Sequence, residues 1–500
     1  MLSPHLSKSR FLAGLQCHRQ LYWRVHEPGA AEQMPNAKLQ AILDMGKRVG
    51  ARARAELPGG VLIPRDPRNI AVAIEATKQA LAVGAPIIFE ASFLEDGVFV
   101  AVDILSKLGD GYVLIEVKAT AGPKAHHIPD AAIQAHVVER SGLPVMRIEV
   151  MHLNTNHRHP DDDPLFARAD ITDAVAALRP RIAAEIDAQR KMLQGPLPDV
   201  EPGGHCSSPH PCPFLDRCHV PLPDHSIEDL NGLRQRLRNA LRDAGIETVD
   251  QIPSDFPLKP LHARHRRAVQ SNELVVEEGL REALTRYAFP IAMLDFETVA
   301  PALPVWNGCS PFGPVPAQFS VHILREDGTM THRGYLAEEG TDPRPQIAAA
   351  LADALREAAT ILAWNAPVEK RCLETLAQAC PEHAPALREA RDKVHDLLPV
   401  VRNHLYHPDF RGRFSIKAVA AALFPHMSYD ALEVADGQTA SSQLERLLCR
   451  PKELSADQRG GLRRELEAYC KRDTEVMVGL FRLLVNAGGR SCQEDPSYTK

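Results

Sequence analysis

The stretch IAMLDFET, residues 291–298, combines an apolar strand pattern with acids at two alternate positions, Asp295 and Glu297. Successive side chains of a strand point to opposite faces, so both carboxylates are predicted on one face. Around this stretch, residues 288–485 mix strand-like and helix-like patterns, which predicts an α/β domain. Taken alone, an acid pair on a strand is more typical of an exposed strand than of a catalytic site.

Two later segments add polar groups that change this interpretation. Residues 465–484, ELEAYCKRDTEVMVGLFRLL, predict an amphipathic helix with Tyr469 and Asp473 one turn apart on one face. Residues 360–376, TILAWNAPVEKRCLETL, read as a strand running into a helix that starts after Asn365 as its N-cap. Glu369 lies one turn into that helix. Four acids and a tyrosine could hold two metal ions about 4 Å apart, one activating water and one stabilising the leaving oxygen of a phosphodiester.

The three segments together resemble the DEDD exonucleases of ribonuclease H-like fold, in the subclass with tyrosine in the last motif. The resemblance covers about residues 288–485 and implies 3′–5′ exonuclease activity with Mg²⁺ or Mn²⁺ held by the four acids. It also implies that the tyrosine orients the attacking water, and Asp396 is a further acid that could contribute. The matching residues are Asp295 and Glu297 in DxE, Asn365 with Glu369 in place of aspartate in N-x3-D, and Tyr469 and Asp473 in YxxxD.

Composition sets outer limits on the whole chain. Its 500 residues suit two or three domains, and 44% hydrophobic residues are enough for a core in each. The apolar runs are too short to span a membrane, and the first residues lack a signal-peptide pattern, so we expect a soluble cytoplasmic protein. The net charge of −6 is not a global signature of nucleic-acid binding. Two basic patches, residues 47–54 and 262–267, are read as solvated helix faces or, less readily, as phosphate-binding tracks.

Composition shifts divide the chain into four parts. Residues 1–222 form a first α/β domain, 223–287 a helical connector, 288–487 the second α/β domain, and 488–500 a disordered tail. In the connector, Leu230, Leu233, Leu237 and Leu241 recur at helical spacing. Residues 244–253, AGIETVDQIP, read as a tight helix–turn–helix connection.

The first domain has an informative order of predicted elements. A sheet with helices on both faces is expected from this order. The elements are helices at 37–56, 69–83 and 129–141, and strands at 87–93, 97–105, 112–117 and 146–153.

Polar residues converge on the middle of this predicted sheet. Glu116 and Lys118 share one face of a strand, Asp103 lies near the end of the preceding strand, and Gln134 lies on the following helix. Two carboxylates between neighbouring strands suit Mg²⁺ or Mn²⁺, and the lysine could activate water or neutralise phosphate charge. The alternative is an edge strand with solvated charges.

The pattern resembles the RecB-like branch of the PD-(D/E)XK nucleases, which have a restriction-endonuclease-like fold. Over about residues 1–220, the resemblance implies that Asp103 and Glu116 hold the metal and that Lys118 serves the attacking water, with Gln134 in the helix motif. The sequence departs from that family at three places. Val102 precedes the aspartate where proline is common, valine replaces the tyrosine of QxxxY, and the first helix lacks a histidine. Glu90 could supplement the metal ligands.

Three cysteines follow this region as C-x5-C-x5-C, and a fourth, Cys17, precedes it. Four thiolates are typical of an iron–sulfur cluster or a structural zinc site. The split arrangement resembles the iron–sulfur nucleases of the AddB and CRISPR-adaptation type, which implies a [4Fe-4S] cluster. Zn²⁺ with a histidine (205, 210 or 219) as a substitute ligand, or free thiols, are the alternatives. The cluster ligands implied are Cys17, Cys206, Cys212 and Cys218.

The whole chain resembles a bacterial family that fuses the two domain types, on the basis of SKSRFLAGLQC, the cysteine stretch and LDFET. This resemblance implies a metal-dependent nuclease with two active sites, acting on DNA with a free or single-stranded end. DNA repair, processing or defence, with a helicase or recombination partner and no membrane, are the expected context. One rival has only the DEDD site active, on DNA or RNA, with the RecB-like half as a binding platform. Another is a non-catalytic, zinc-stapled nucleic-acid adaptor.

Overall fold

The computed structural model describes residues 6–64, 66, 69–160, 163–219, 221–427, 429 and 436–489. The chain forms two compact units. Unit 1 comprises Met1–Val220 with Pro301–Gly313, and unit 2 comprises Pro221–Ala300 with Pro314–Lys500. The residues of the predicted connector therefore belong to unit 2. Of the predicted tail, residues 490–500 lie outside the described residues.

Unit 1 alternates helices and strands, and its predicted elements are confirmed to within a few residues at each end. Its elements are β1 Leu6–Ser7, α1 Lys8–Gln16, α2 His18–His26, α3 Ala37–Ala55, β2 Val61–Leu62, α4 Ile70–Ala82, β3 Ile87–Glu95, β4 Val98–Leu108, β5 Gly111–Lys118, α5 His127–Arg140, β6 Val145–Leu153, β7 Phe166–Asp170, α6 Thr172–Leu193 and α7 Leu215–Cys218.

The described strands of unit 1 form one mixed sheet in the order β2-β3-β4-β5-β6-β7, with β1 paired to β4. The β3–β4, β4–β5 and β6–β7 pairs are antiparallel, whereas β5–β6 is parallel. Alternate residues of β5 enter different cores: Leu114 packs in the cluster that contains Ile133 of α5, and Ile115 packs in the cluster that contains Ala53 of α3. Helices thus cover both faces, as the element order predicts.

Unit 2 also mixes helices and strands. Its elements are α8 Gln235–Asp243, α9 Pro260–Ser271, β8 Val275–Val276, α10 Leu280–Leu284, β9 Ile291–Val299, β10 Val315–Leu324, β11 Met330–Leu336, α11 Arg344–Ala354, β12 Thr360–Ala363, α12 Pro367–Ala379, α13 Ala384–Asp392, β13 Val394–Asp396, α14 Leu398–His404, β14 Leu405–Tyr406, α15 Ile416–Leu423, α16 Gly437–Cys449 and α17 Ala456–Ala487.

The main sheet of unit 2 has the order β11-β10-β9-β12-β13, which puts the DxE strand β9 at its centre. Strands β9, β10 and β11 are antiparallel neighbours, and β12 and β13 continue the sheet in parallel with β9. Helix α17 begins at a capping box formed by Ser455 and Gln458. The predicted amphipathic pattern is confirmed in the part before Asp473, where exposed and buried residues alternate at helical spacing. From Asp473 to Val485 ten of thirteen residues are buried, so this part of the helix lies in the core.

The predicted helical connector is only partly helical. Leu237 and Leu241 lie in α8, but Leu230 and Leu233 precede it, so the leucine spacing does not mark one continuous helix. These leucines instead pack in one small core, where side chains from turns and helix meet. The predicted tight helix–turn–helix connection is also wrong, because a 3-10 turn at Val249–Gln251 and an extended stretch separate α8 from α9.

The second basic patch, residues 262–267, is largely buried in α9, which excludes both readings of it as a solvated face or a phosphate track. Arg264 is 5% exposed; its guanidinium pairs with Glu277 at 2.8 Å and donates to the Arg402 carbonyl at 2.5 Å. His265 stacks on Tyr406, and burial lowers its pKa to about 3. Arg264 and the neutral His265 ring therefore stabilise the fold.

The predicted mixed α/β class is confirmed for both units by their mixed sheets. Within the described residues, none of the helices combines the length and apolar character that a membrane span requires.

Candidate active sites

In unit 2, the pairing between two neighbouring strands ends just before the DxE acids. Strand β12 pairs with β9 only from Ile291 to Met293, and the two parallel strands separate before Asp295 is reached. On the other side, β10 stays paired, with Asp295 opposite Ser320. Asp295 and Glu297 therefore lie beyond the paired part of β12, on a strand that both α12 and α17 contact.

The structure brings the predicted acids of unit 2 together. One oxygen each from Asp295, Glu297 and Asp473 lies within 4.8 Å of the other two. Glu369, on the first turn of α12, is 3% exposed and close enough to raise the pKa of Asp295 by its charge. Its Oε2 atom is buried and has no hydrogen-bond partner among the described residues. Such an atom is a ready ligand for a cation.

Burial raises the pKa values of all four acids, and repulsion within the cluster adds to it for Asp295 and Glu297. Burial, followed by the charges of Asp473 and Glu297, holds the pKa of Asp295 well above its ordinary value. Burial raises the pKa of Glu297 to about 8, with Asp473 adding repulsion, and also raises that of Glu369 to about 8. The pKa of Asp473 rises to about 6 because burial outweighs its hydrogen bonds to tyrosine hydroxyls. The ionised cluster thus requires added positive charge.

Two tyrosines and a lysine line the same cluster. Tyr469 is 3% exposed and hydrogen bonded to Asp473, as its position one turn earlier in α17 predicts. Tyr429, which the sequence did not single out, donates its hydroxyl proton to Asp473. The Lys417 ammonium lies 4.6 Å from the Tyr469 ring centre and 5.1 Å from that of Tyr429. No sequence signal links Tyr429 or Lys417 to the motifs, since both come from outside them.

Asn365 is not the N-cap that the sequence predicts, and Asp396 contacts the same turn. Asn365 adopts a left-handed backbone conformation (φ 70°), and Ala366 stands at the N-cap of α12 without a side-chain cap bond. Asp396 accepts hydrogen bonds from the backbone N–H groups of Asn365 (3.1 Å) and Leu398 (3.0 Å). It therefore fixes the turn that leads to Glu369.

In unit 1, the second candidate site also lies where a ladder ends. The β4–β5 pairing runs from Leu108 to Ile104, which is paired with Ile115, and stops one residue before Asp103. There the Asp103 carboxylate accepts a hydrogen bond from the Val117 N–H at 2.8 Å. This bond takes the place of the next backbone hydrogen bond between the two strands. Asp103 and Glu116 consequently face each other across the opening strands. Burial and then the charge of Glu116 raise the pKa of Asp103 to about 7.

Two lysines surround the buried Glu116 carboxylate. Lys118 lies 2.7 Å and Lys8 lies 2.8 Å from the same Glu116 oxygen. Both ammonium groups also contact Asp130 of α5, at 2.5 Å and 3.0 Å respectively. Although burial alone would raise it, these two charges hold the pKa of Glu116 well below its ordinary value. Sequence reasoning missed Lys8 and Asp130.

Gln134 lies on the site-facing side of α5, together with Asp130. Its Nε2 donates to Glu116 at 2.6 Å and to Asp130 at 3.2 Å. The position of Asp130, exactly one helical turn before Gln134, is the signal that could have identified it. Val138, at the tyrosine position of QxxxY, is fully buried in the core. Glu90 pairs with Arg54 at 3.5 Å.

The four predicted cysteines line one cavity of unit 1, beside Trp23. Burial raises the pKa of the Cys212 thiol, and the charges of the other three cysteines raise it further. Arg19 of α2 lies 4.0 Å from the Cys218 sulfur. Among the described residues, the only set of three His, Cys, Asp or Glu ligand atoms within 4.8 Å of one another is the carboxylate set of unit 2. No three of the cysteine sulfurs therefore lie that close to one another.

Comparisons with known proteins find a match to part of the chain. Residues 292–415 match the model of a domain of unknown function, DUF2779. No curated protein matches the chain. Among solved structures, the chain is similar to an alkaline exonuclease (LHK-Exo) from Laribacter hongkongensis, at 16% identity and a TM-score of 0.24, covering 38% of this chain and 89% of that one. At that TM-score, the likeness assigns no function to this chain.

Proposed function

We propose that this chain is a metal-dependent nuclease that hydrolyses DNA phosphodiester bonds with metal-activated water. The observation that carries the proposal is the buried cluster of Asp295, Glu297 and Asp473, with Glu369 close by. Three separate chain segments supply these acids, and burial with repulsion raises the pKa values of Asp295 and Glu297, so the site needs added positive charge to hold them ionised. Oxygen-only ligand sets of this kind suit Mg²⁺ or Mn²⁺.

For unit 2 we propose 3′–5′ exonuclease activity of the DEDD type, in a ribonuclease H-like domain. The bound metals would supply an activated water and stabilise the leaving oxygen. Asp295, Glu297, Glu369 and Asp473 would hold them. The Tyr469 hydroxyl, hydrogen bonded to Asp473, would orient the attacking water, and Tyr429 also donates a hydrogen bond to that carboxylate. Glutamate at 369 retains the negative charge that the second motif requires.

For unit 1 we propose a second, RecB-like site in which Asp103 and Glu116 bind the metal. Lys118 would serve the water, and Gln134 orients Glu116. One observation favours the rival in which this half is a binding platform: Glu116 and Asp130 are already neutralised by two ammonium groups at 3.0 Å or less. Separate substitution of Asp103 and Asp295 distinguishes these two functions.

The cysteine cavity fits a [4Fe-4S] cluster better than the zinc alternative. In tetrahedral zinc sites with Zn–S near 2.3 Å, the sulfurs lie about 3.8 Å apart. No three of these cysteine sulfurs lie within 4.8 Å of one another, which agrees with each thiolate binding a different iron. Arg19 would offset the negative charge of four thiolates. The cluster would join α1 and α2 to the C-terminal part of unit 1.

Anaerobic purification followed by iron, sulfide and zinc analysis tests the cofactor. About four irons and four sulfides per chain, lost together in Cys212→Ser, are expected. Stoichiometric zinc without sulfide would establish the structural zinc site. An unrelated cysteine, Cys449→Ser, is the matched control and should leave the metal content unchanged.

End-labelled oligonucleotides test the nuclease assignment. With Mg²⁺ or Mn²⁺, we expect stepwise shortening of single-stranded DNA from its 3′ end, and a 3′-terminal phosphorothioate should block it. The same sequence as RNA decides whether unit 2 prefers RNA. A DNA substrate with a free or single-stranded end matches a role in DNA repair, beside a helicase or recombination partner. Binding of both polymers without cleavage under any metal would establish the adaptor function instead.

A further inference from the structure

We propose that Lys8 is an exchangeable counter-cation of the unit 1 site, an ammonium group that a divalent metal ion must displace from Glu116 and Asp130. The inference rests on the proposed function only in taking unit 1 as a metal site. It adds Lys8 and Asp130 to that site and predicts how the chain tunes metal affinity.

The contacts put Lys8 where a cation would bind. Its Nζ atom lies 2.8 Å from Glu116 Oε1 and 3.0 Å from Asp130 Oδ1. Lys118 already occupies a second position on the same Glu116 oxygen, and Gln134 donates to the other oxygen at 2.6 Å. A carboxylate oxygen has about two lone-pair directions, so Glu116 Oε1 has none left for a metal ion. One ammonium group must leave before a metal can bind there.

Lys8 is the ammonium group better suited to leave. Its contacts to Glu116 and Asp130 are longer than those of Lys118, which are 2.7 Å and 2.5 Å. Lys118 is also fixed on the central strand β5 of the sheet. Lys8 reaches the site from a separate element, as the first residue of α1, and a quarter of its side chain is exposed to solvent.

Contacts at both ends of α1 fix the backbone position of Lys8. Ser7 caps its first turn, and a Cβ at Gly14 would meet the Gln189 side chain of α6 at 2.3 Å, so the two helices are in close contact. At the other end, Gln16 donates to the carbonyls of His205 and His210 in the cysteine loop, at 2.8 Å and 2.7 Å. The side chain of Lys8, with four rotatable bonds, is therefore the part that moves.

A second observation independently points to a missing ligand. Gln134 is 0% exposed, and its Oε1 atom has no hydrogen-bond partner among the described residues. A buried amide oxygen beside two carboxylates needs a cation or its water shell. With Lys8 displaced, the charge of Asp103, Glu116, Asp130 and Lys118 together with one divalent ion is close to neutral, which suits an incoming phosphodiester.

Mn²⁺ titration without nucleic acid tests the inference. The full chain carrying Asp295→Ala is titrated calorimetrically, and binding lost on adding Glu116→Gln is assigned to unit 1. In this background, Lys8→Met should lower the Kd for Mn²⁺ by about tenfold, because the competing charge is gone. Lys8→Gln should act in the same direction if methionine perturbs packing. Lys8→Arg, which keeps the charge, and Lys78→Met, an exposed lysine of α4, should change the Kd by less than about twofold.

An unchanged or weaker Mn²⁺ affinity in both Lys8→Met and Lys8→Gln would overturn the proposal, since displacement then costs nothing. Mn²⁺ binding that does not depend on Glu116 in any variant would also overturn it. Failure of the proposed function gives a different result. If Lys8→Met binds Mn²⁺ more tightly but unit 1 cleaves neither DNA nor RNA, the counter-cation proposal stands and the nuclease proposal for unit 1 is wrong.

Discussion

The two carboxylate sites of this chain differ in how their buried negative charge is balanced. Both lie where a strand ladder ends, next to Asp103 in unit 1 and next to Asp295 in unit 2. In unit 1, two lysines hold the pKa of Glu116 low. In unit 2, burial and repulsion leave the carboxylates with raised pKa values, although Lys417 lies nearby. Unit 1 thus carries its own counter-charge, whereas unit 2 depends on an added cation.

This difference shows that acidic residues at the end of a strand pair can either stabilise or destabilise the metal-free fold, depending on nearby cations. A neutralised site stabilises its fold in the absence of metal but must exchange a cation before it can act. A repulsive site weakens its fold without metal and gains both stability and activity when metal binds. The contrast leads to expected outcomes of opposite sign in the two units.

The largest effect is expected for Asp473→Asn. Activity of unit 2 should fall by more than about 100-fold, because even groups that only support metal ligands contribute 10–100-fold. In EDTA, the same variant should make unit 2 more stable, since one repelling charge is gone. Exonuclease assays and amide hydrogen exchange of β9 measure the two results. The control is Glu467→Gln, which changes an exposed acid on the same helix. A loss of metal-free stability in Asp473→Asn would contradict the claim that the acids of unit 2 repel one another.

Glu116→Gln should have the opposite effect on metal-free stability. It removes one of the two carboxylates that Lys8 and Lys118 share and leaves Asp130 alone to balance both ammonium groups, which costs about 3 kcal/mol. Hydrogen exchange of β5 amides should become faster in EDTA. Glu75→Gln, an exposed acid of α4, should leave exchange unchanged. Slower hydrogen exchange in Glu116→Gln would mean that the acids of unit 1 also destabilise the metal-free fold, as proposed for unit 2.

The pH dependence of stability should separate the units again. Glu297 and Glu369 have folded-state pKa values of about 8, above the value of about 4.5 in the unfolded chain. Folded unit 2 then binds more protons, so its metal-free stability should decrease as pH rises from about 5 to about 8. In unit 1, Glu116 has a lowered pKa, so its contribution is lost only as pH falls below about 4.5. Asp103, with a pKa of about 7, gives unit 1 a smaller decrease in stability that ends near pH 7. Saturating Mg²⁺ should abolish the slope in unit 2, and a slope that persists would exclude these acids as ligands.

The smallest effect is expected for Tyr429→Phe. Loss of its hydrogen bond to Asp473 removes about 1.5 kcal/mol, which corresponds to about tenfold in rate. Tyr469→Phe should reduce the rate further, because Tyr469 is also placed to orient the water. Single-turnover rates at saturating Mg²⁺ compare the two variants. An equal loss in both would mean that the two tyrosines act in the same way.

Local patterns predicted much of the fold because strand and helix periods are local properties. The predicted strand at 112–117 is β5, Gly111–Lys118, and the shared face of Glu116 and Lys118 follows directly from strand geometry. Asp295 and Glu297 are placed by the same rule, and Tyr469 and Asp473 by the helical turn. The leucine spacing before α8 failed, because turns pack apolar side chains at similar intervals.

The missed residues are those that arrive from distant segments. Lys8 lies 108 residues from Glu116, and Tyr429 lies 44 residues from Asp473, so no periodicity connects them. The buried cations of α9 were misjudged for the same reason, since the partners of Arg264 lie at Glu277 and Arg402. Only Asp130, one turn from Gln134, carried a local signal.

Single-turnover cleavage of end-labelled single-stranded DNA with Mg²⁺ or Mn²⁺ tests the central claim most directly. The intact chain is compared with Asp295→Ala, Asp103→Ala and the double variant. The account predicts that Asp295→Ala removes stepwise 3′ trimming, that Asp103→Ala removes a separate activity, and that the double variant is inactive. Cleavage that neither substitution alters, or no cleavage by the intact chain on DNA or RNA, would contradict it.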